Sequence, residues 1–114
     1  MKELLISLLE TFGYPVKLQG TIGKDEQYPD SFFTFWNADS SDGDHFDNNA
    51  IFYVWDFDVN FYSVNPELVN TVLLSAKTLL KQNGFIISGK GYDVPSDEPS
   101  HTGRGFNAQI IDND

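Results

Sequence analysis

The chain has 114 residues, with 17 acidic and seven basic side chains, a formal net charge of −10 and no cysteine. This length suits one domain with a single core, so we assign residues 1–114 to one domain. The negative charge argues against binding to DNA or to anionic membranes, and the lack of cysteine excludes disulfides and thiolate metal sites. No apolar run reaches the roughly 20 residues that span a bilayer.

An amphipathic helix is predicted near the start of the chain. Five apolar residues from Leu4 to Phe12 recur at helical spacing, and Gly13 provides a helix end. A short alternating segment follows at residues 16–19. Residues 31–36 are rich in aromatic strand formers and are too few for an average helix, so we predict a strand there.

A polar, acidic tract covers residues 37–49 and is predicted to be a mobile hairpin loop between two strands. It does not fit an EF-hand calcium loop. With Asp39 in the first position, Ala50 takes the place of the required glutamate, and with Asp42 first, Asp47 takes the place of the required glycine. We therefore predict a solvated loop, whose length exceeds that of a usual hairpin connection.

A strand over residues 51–62 is predicted to be the organising element. Its odd positions are all apolar or aromatic, whereas the even positions from Asp56 to Asn60 are polar. One face of the strand should therefore meet the core and the other should meet water or a partner. Asp56 and Asp58 are neighbours on the polar face because residues two apart in any strand lie on the same side. Their proximity therefore gives no support to a catalytic carboxylate pair.

A second helix is predicted to begin at Pro66, with Asn65 as its N-cap, and to end at Asn83–Gly84. Its apolar stripe should pack on the apolar face of the preceding strand. A short strand at residues 85–87 and a closing strand at 104–111 complete the pattern. This order of elements predicts an α+β domain, a mostly antiparallel sheet with two helices packed on one face.

Few residues are candidates for catalysis. His45 and His101 lie in unrelated polar segments, and the acidic residues between Asp93 and Glu98 permit a hydrolytic or metal site that chance placement explains better. The glycines of 89–91 and 103–105 lack the spacing of a phosphate loop and are interpreted as turns. We therefore predict no enzymatic activity, no cofactor and no metal site.

The aromatic content of the chain is high, with ten Phe, five Tyr and two Trp. Aromatic residues fall on both faces of two neighbouring strands, while two helices can cover only one face. The others are predicted to form an exposed interface patch, with a second layer packed from the loops as the alternative. The candidate interface residues are Phe33, Phe35, Trp36, Phe52, Asp44, His45, Phe46 and Arg104.

Four segments of the chain carry a resemblance to a known family: Tyr28–Asn37, Trp55–Ser63, Pro66–Leu68 and Gly84–Gly105. In their pattern the chain resembles small phage and prophage proteins of the tail terminator type, also described as tail completion or head-tail joining proteins. The resemblance implies an α+β subunit that forms a ring, commonly a hexamer, which caps the tail tube and joins it to the head.

The partners implied by the resemblance are further copies of the chain, the tail tube and head-tail connector proteins. The implied location is the host cytoplasm during assembly and then the virion. An acidic surface suits a pore through which DNA passes without adhering, and the segments 39–49 and 89–103 are expected to order against neighbouring subunits.

An alternative function is that of an acidic monomeric adaptor or of an inhibitor that mimics nucleic acid. A mimic should carry its acidic residues in an ordered stripe, whereas here they are predicted to lie in loops.

Overall fold

The computed structural model describes residues 2–18, 29–42, 45–46, 49–50, 53–94 and 100–112. Its elements are α1 (Lys2–Glu10), β1 (Val16–Leu18), β2 (Ser31–Asp42), β3 (His45–Phe46), β4 (Asn49–Ala50), β5 (Tyr53–Ser63), α2 (Pro66–Gln82), β6 (Ile86–Val94) and β7 (Thr102–Asp112). Five strands form one sheet in the order β1-β2-β5-β7-β6, and β3 pairs with β4. β1 is parallel to β2, and the other pairs are antiparallel. The predicted α+β class is confirmed.

Strand β5 occupies the middle of the sheet, with β2 on one side and β7 on the other. Its odd residues Phe57, Val59 and Phe61 are fully buried, as the alternating pattern predicts. α2 contacts β5, β6 and β7, and Leu5 and Leu9 of α1 belong to the same core cluster. The core therefore lies between one face of the sheet and the two helices.

The ends of α2 follow the predicted local signals. Asn65 is the N-cap, and its side-chain oxygen accepts a hydrogen bond from the backbone nitrogen of Glu67 at 3.1 Å. Pro66 is the first helical residue, where its missing N–H costs nothing. Beyond the last turn Gly84 has φ +94°, a left-handed conformation that glycine adopts without steric strain.

The acidic tract differs from its prediction as a loop. β2 continues past Trp36 to Asp42 and pairs with β5 as far as Tyr53, with a bulge between Asn37 and Asp39. Asp and Ser have low strand propensity, but the long edge of β5 offers backbone hydrogen bonds that override it.

The glycine-containing segments are strands rather than turns. Gly89 and Gly91 lie in β6, and Gly103 and Gly105 lie in β7. The pairing of β6 with β7 shifts in register between Ser88 and Tyr92, and Gly91 has φ +95° there. These two strands are longer than predicted because pairing with each other supports residues that have no strand pattern of their own.

Two adjacent leucines of α2 provide a test of this packing. Leu73 is 3% exposed and belongs to the core, whereas Leu74 is 66% exposed. Leu73→Ala should lower the free energy of unfolding by about 2–5 kcal/mol because it leaves a cavity. Leu74→Ala, the matched control, should change it by less than about 0.5 kcal/mol. Urea denaturation measures both, and equal losses would contradict the assigned helix orientation.

Candidate functional site

The sheet face opposite the two helices, which we call the open face, is the candidate site. It carries the even-numbered residues of β5 together with the residues that pair with them. Register places Asp58 between Trp36 of β2 and Asn107 of β7, and places Asp56 beside Gln109. Among the described residues no helix packs on this face, so it is available to a partner.

A polar network lies at the centre of the open face. Asn107 Nδ2 donates hydrogen bonds to Oδ1 of Asp56 and, at 3.3 Å, to Oδ1 of Asp58. Gln109 Nε2 donates to the other oxygen of Asp56 at 3.1 Å. Hydrogen bonds to charged acceptors are stronger than neutral ones, so the amides hold the carboxylates in place without neutralising them. The result is a fixed negative charge on a rigid strand.

Tyr92 of β6 extends this network to the neighbouring strand. Its hydroxyl donates to Asp58 Oδ1 at 3.3 Å. Burial raises the pKa of Tyr92 to about 12, and the charge of Asp58 and its hydrogen bond act in the same direction. Tyr92 is therefore a protonated donor throughout the neutral pH range.

An aromatic cluster covers the other end of the open face. Phe32 stacks on Tyr62 with ring centroids 5.1 Å apart, and the ring of His101 meets Phe32 edge-on at 5.8 Å. The ring of Tyr62 lies over Gly103, where a Cβ atom would come within 2.6 Å of it. Gly103 therefore has a packing role and not a turn role, because only a residue without a side chain leaves room for this ring.

The two sequence candidates for a hydrolytic site have structural roles. His101 Nε2 lies 2.7 Å from the Pro29 carbonyl oxygen and must donate to it, which leaves Nδ1 to accept from the Ser100 hydroxyl at 3.0 Å. Asp93 forms an ion pair with Arg104 at 2.7 Å. Asp97 and Glu98 lie outside the described residues. His101 and Asp93 are thus each engaged elsewhere and form no hydrolytic pair with each other.

Exposed apolar side chains accompany the polar network on the open face. Trp36 is 51% exposed, and Ile86 and Ile111 are 54% and 45% exposed. Register places Ile86 opposite Gln109 and Ile111 opposite Val54. Apolar anchors beside hydrogen-bonded polar groups are the composition of a protein interface.

The predicted interface residues have different positions in the structure. Trp36 lies exposed on the open face, as expected. Phe33 and Phe35 are a correction, because they are 0% and 4% exposed in the helix-covered core and cannot contact a partner without unfolding it. Arg104 is half-buried and lies opposite Phe61, on the helix side of the sheet.

The other candidates cannot be placed as side chains. Asp44 and Phe52 lie outside the described residues, and His45 and Phe46 are described as the backbone of β3. Sequence reasoning missed Ile86, Tyr92 and Ile111. Ile86, Ser88 and Tyr92 all occupy even positions of β6 and share one face, but the glycines at 89 and 91 indicate a turn, which hides that period in the sequence.

Comparisons with known proteins do not assign the chain to a family. No family model and no curated protein matches the sequence. Within the described ranges, no helix is both long and apolar enough to cross a membrane. The same residues contain no group of three or more His, Asp or Glu side chains placed to hold a metal ion.

The packing of the Tyr62 ring on Gly103 gives one prediction for the open face. Gly103→Ala should lower the free energy of unfolding by about 1–3 kcal/mol, because the new methyl group collides with the Tyr62 ring. In a Tyr62→Ala background the same change should cost less, and the remaining cost comes from Val94 Cγ2, which would lie 2.8 Å from the new methyl group. Urea denaturation of the four chains measures this coupling, and strictly additive effects would show that the ring does not depend on the glycine.

The pKa of Tyr92 gives a second prediction. Because this pKa is about 12 in the folded chain against 10.0 ordinarily, the protonated tyrosine stabilises the fold below pH 10. That contribution should decline as the pH rises from about 10 to about 12. Absorbance titration of tyrosinate should show a late component that Tyr92→Phe removes and Asp58→Asn shifts to lower pH. A single transition near pH 10 for all tyrosines would contradict the prediction.

Proposed function

We propose that the chain is a structural subunit of phage or prophage virion assembly, a tail terminator or head-tail joining protein that forms a ring on the tail tube. The observation that carries the proposal is the uncovered sheet face, where exposed Trp36, Ile86 and Ile111 lie beside fixed carboxylates. This surface supports the assembly role, and the sequence resemblance supports the position at the tail.

The open face is better suited to a partner than to water. Trp36 and Ile86 are each more than half exposed, and burial of apolar surface is worth about 25 cal/mol per Å². Tryptophan is also among the residues that most often dominate binding energy at interfaces. The carboxylates of Asp56 and Asp58 are already held by amides, so a partner would not have to order them.

The charge of the chain suits a DNA passage. A ring of subunits that each carry a formal charge of −10 repels the phosphate backbone, so DNA would pass through without adhering. The same charge disfavours binding to DNA.

A second candidate function is an acidic monomeric adaptor or an inhibitor that mimics nucleic acid. One observation favours it: the acidic residues are not confined to loops, because Asp56 and Asp58 are fixed on β5 and Asp39 pairs with Asp56 in the register of the sheet. An ordered row of carboxylates is what a mimic requires. Oligomeric mass and binding to tail tubes separate the two functions.

The test of the proposed function combines mass with binding. Light scattering after size exclusion, over a range of concentrations, should give a closed ring, or the chain should bind tail tubes from the phage or prophage that encodes it. Trp36→Glu should weaken the binding of tail tubes about tenfold or more, because a charge replaces an apolar anchor on the open face. Ser75→Glu is the control, since Ser75 is exposed on α2, on the helix side of the sheet.

Circular dichroism should show that both variants remain folded. A strict monomer that does not bind tail tubes would overturn the proposal and favour the adaptor. Binding to tail tubes that is unaffected by Trp36→Glu would exclude the open face as the contact.

A further inference from the structure

Three of the seven basic residues of this acidic chain gather at one place on the helix side of the sheet. Lys77 and Lys81 belong to α2, and Arg104 belongs to β7. Lys77 Nζ and Arg104 Nη2 each lie 3.6 Å from the position that a Cβ atom on Gly91 would occupy. We call the groove beside them, lined by Asn70, Leu73, Leu74, Lys77 and Arg104, the basic groove.

The positive charge of the basic groove is only partly balanced within the chain. Arg104 forms an ion pair with Asp93 through Nη1, but among the described residues neither Lys77 nor Lys81 forms an ion pair. Burial lowers the pKa of Lys77, and the charges of Arg104 and Lys81 lower it further. The three cations therefore destabilise one another, and a bound anion would relieve that repulsion.

The opposite charge is concentrated in the sequence around the end of β2. Four aspartates occur between residues 39 and 47, and Phe46 lies among them in the sequence. The cations of the basic groove complement the aspartates. Leu74, which is 66% exposed at the groove wall, complements Phe46. The groove and the hairpin segment thus match in both charge and apolar character.

The basic groove lies far along the sheet from the paired end of β2 and β5. Arg104 and Gly91 lie at the level of Asn60 and Phe61 of β5, as the register shows. At the hairpin end, β5 begins at Tyr53, which is seven residues from Asn60 along the same strand. That separation is roughly 23 Å at the strand rise of about 3.3 Å per residue. This separation favours a contact between two molecules over one within a chain.

We propose that the basic groove binds the acidic hairpin segment, residues 39–47, of a second copy of this chain. The inference rests on the proposed function and names the contact that would join neighbouring subunits. Because the hairpin and the groove are different surfaces, the contact is heterologous, and successive copies form a ring when the rotation between them closes.

A charge exchange tests the contact. Lys77→Glu with Lys81→Glu should weaken self-association by about tenfold or more, because the two introduced glutamates repel the aspartates that the lysines attract. Lys2→Glu with Lys17→Glu is the control, since it changes the net charge equally but lies outside the groove. The variant Asp42→Lys with Asp44→Lys should also associate weakly by itself. Association should recover when it is mixed with the Lys77/Lys81 variant, because the introduced lysines then face the introduced glutamates. No recovery in the mixture would overturn the proposal.

Cross-linking tests the same contact when association is too weak for light scattering. The chain has no cysteine, so Asn70→Cys and Asp44→Cys can be introduced into separate batches and mixed. Asn70 lines the basic groove, whereas Ser75, also exposed on α2, lines a different cavity and supplies the control Ser75→Cys. The disulfide between positions 44 and 70 should form preferentially, and Lys77→Glu with Lys81→Glu should abolish the preference.

The outcomes separate the contact from the proposed function. Equal cross-linking at positions 70 and 75, or a preference that survives the charge reversal, overturns the contact, even when rings form or tail tubes are bound. A selective cross-link in a chain that neither forms rings nor binds tail tubes supports the contact and overturns the tail function.

Discussion

The alternation of apolar and polar side chains along β5 is the constraint on which the rest of the structure depends. Its odd residues Phe57, Val59 and Phe61 are fully buried, and they determine which side of the sheet the helices cover. Its even residues Asp56 and Asp58 are thereby placed on the open face. A slip of one residue in register would exchange the two faces, burying the carboxylates and exposing the phenylalanines. The core and the candidate interface are therefore specified by the same strand.

Strand β7 completes the open face with two amide side chains and two glycines. Asn107 and Gln109 supply the amide donors that hold the carboxylates of β5. Gly103 and Gly105, on the same strand, have no side chain, so the ring of Tyr62 and the side chain of Asn60 lie over them. One end of the open face is consequently flat and aromatic and the other is polar. Glycine inside a strand is unfavourable on its own, and here close packing from β5 explains it.

The parts of the fold that could be predicted are those with local signals. Asn65, Pro66 and Gly84 define the ends of α2 through capping and backbone conformation, which need no distant contact. The extension of β2 to Asp42 and of β6 to Val94 could not be predicted, because their polar residues become strand only through pairing with β5 and β7. The misassignment of Phe33 and Phe35 has a related cause. Alternation separates two faces of a strand, but it does not tell which one the helices will cover.

The basic groove and the open face lie on opposite sides of one sheet. The basic groove is on the helix side, because Arg104 pairs in register with the buried Phe61. The open face is on the other side, where Trp36 is exposed beside Asp58. A subunit can therefore use both surfaces at once, and neither contact blocks the other. In the proposed ring, the groove and the hairpin join neighbouring copies, which leaves the open face of every copy available to the tail tube or the connector.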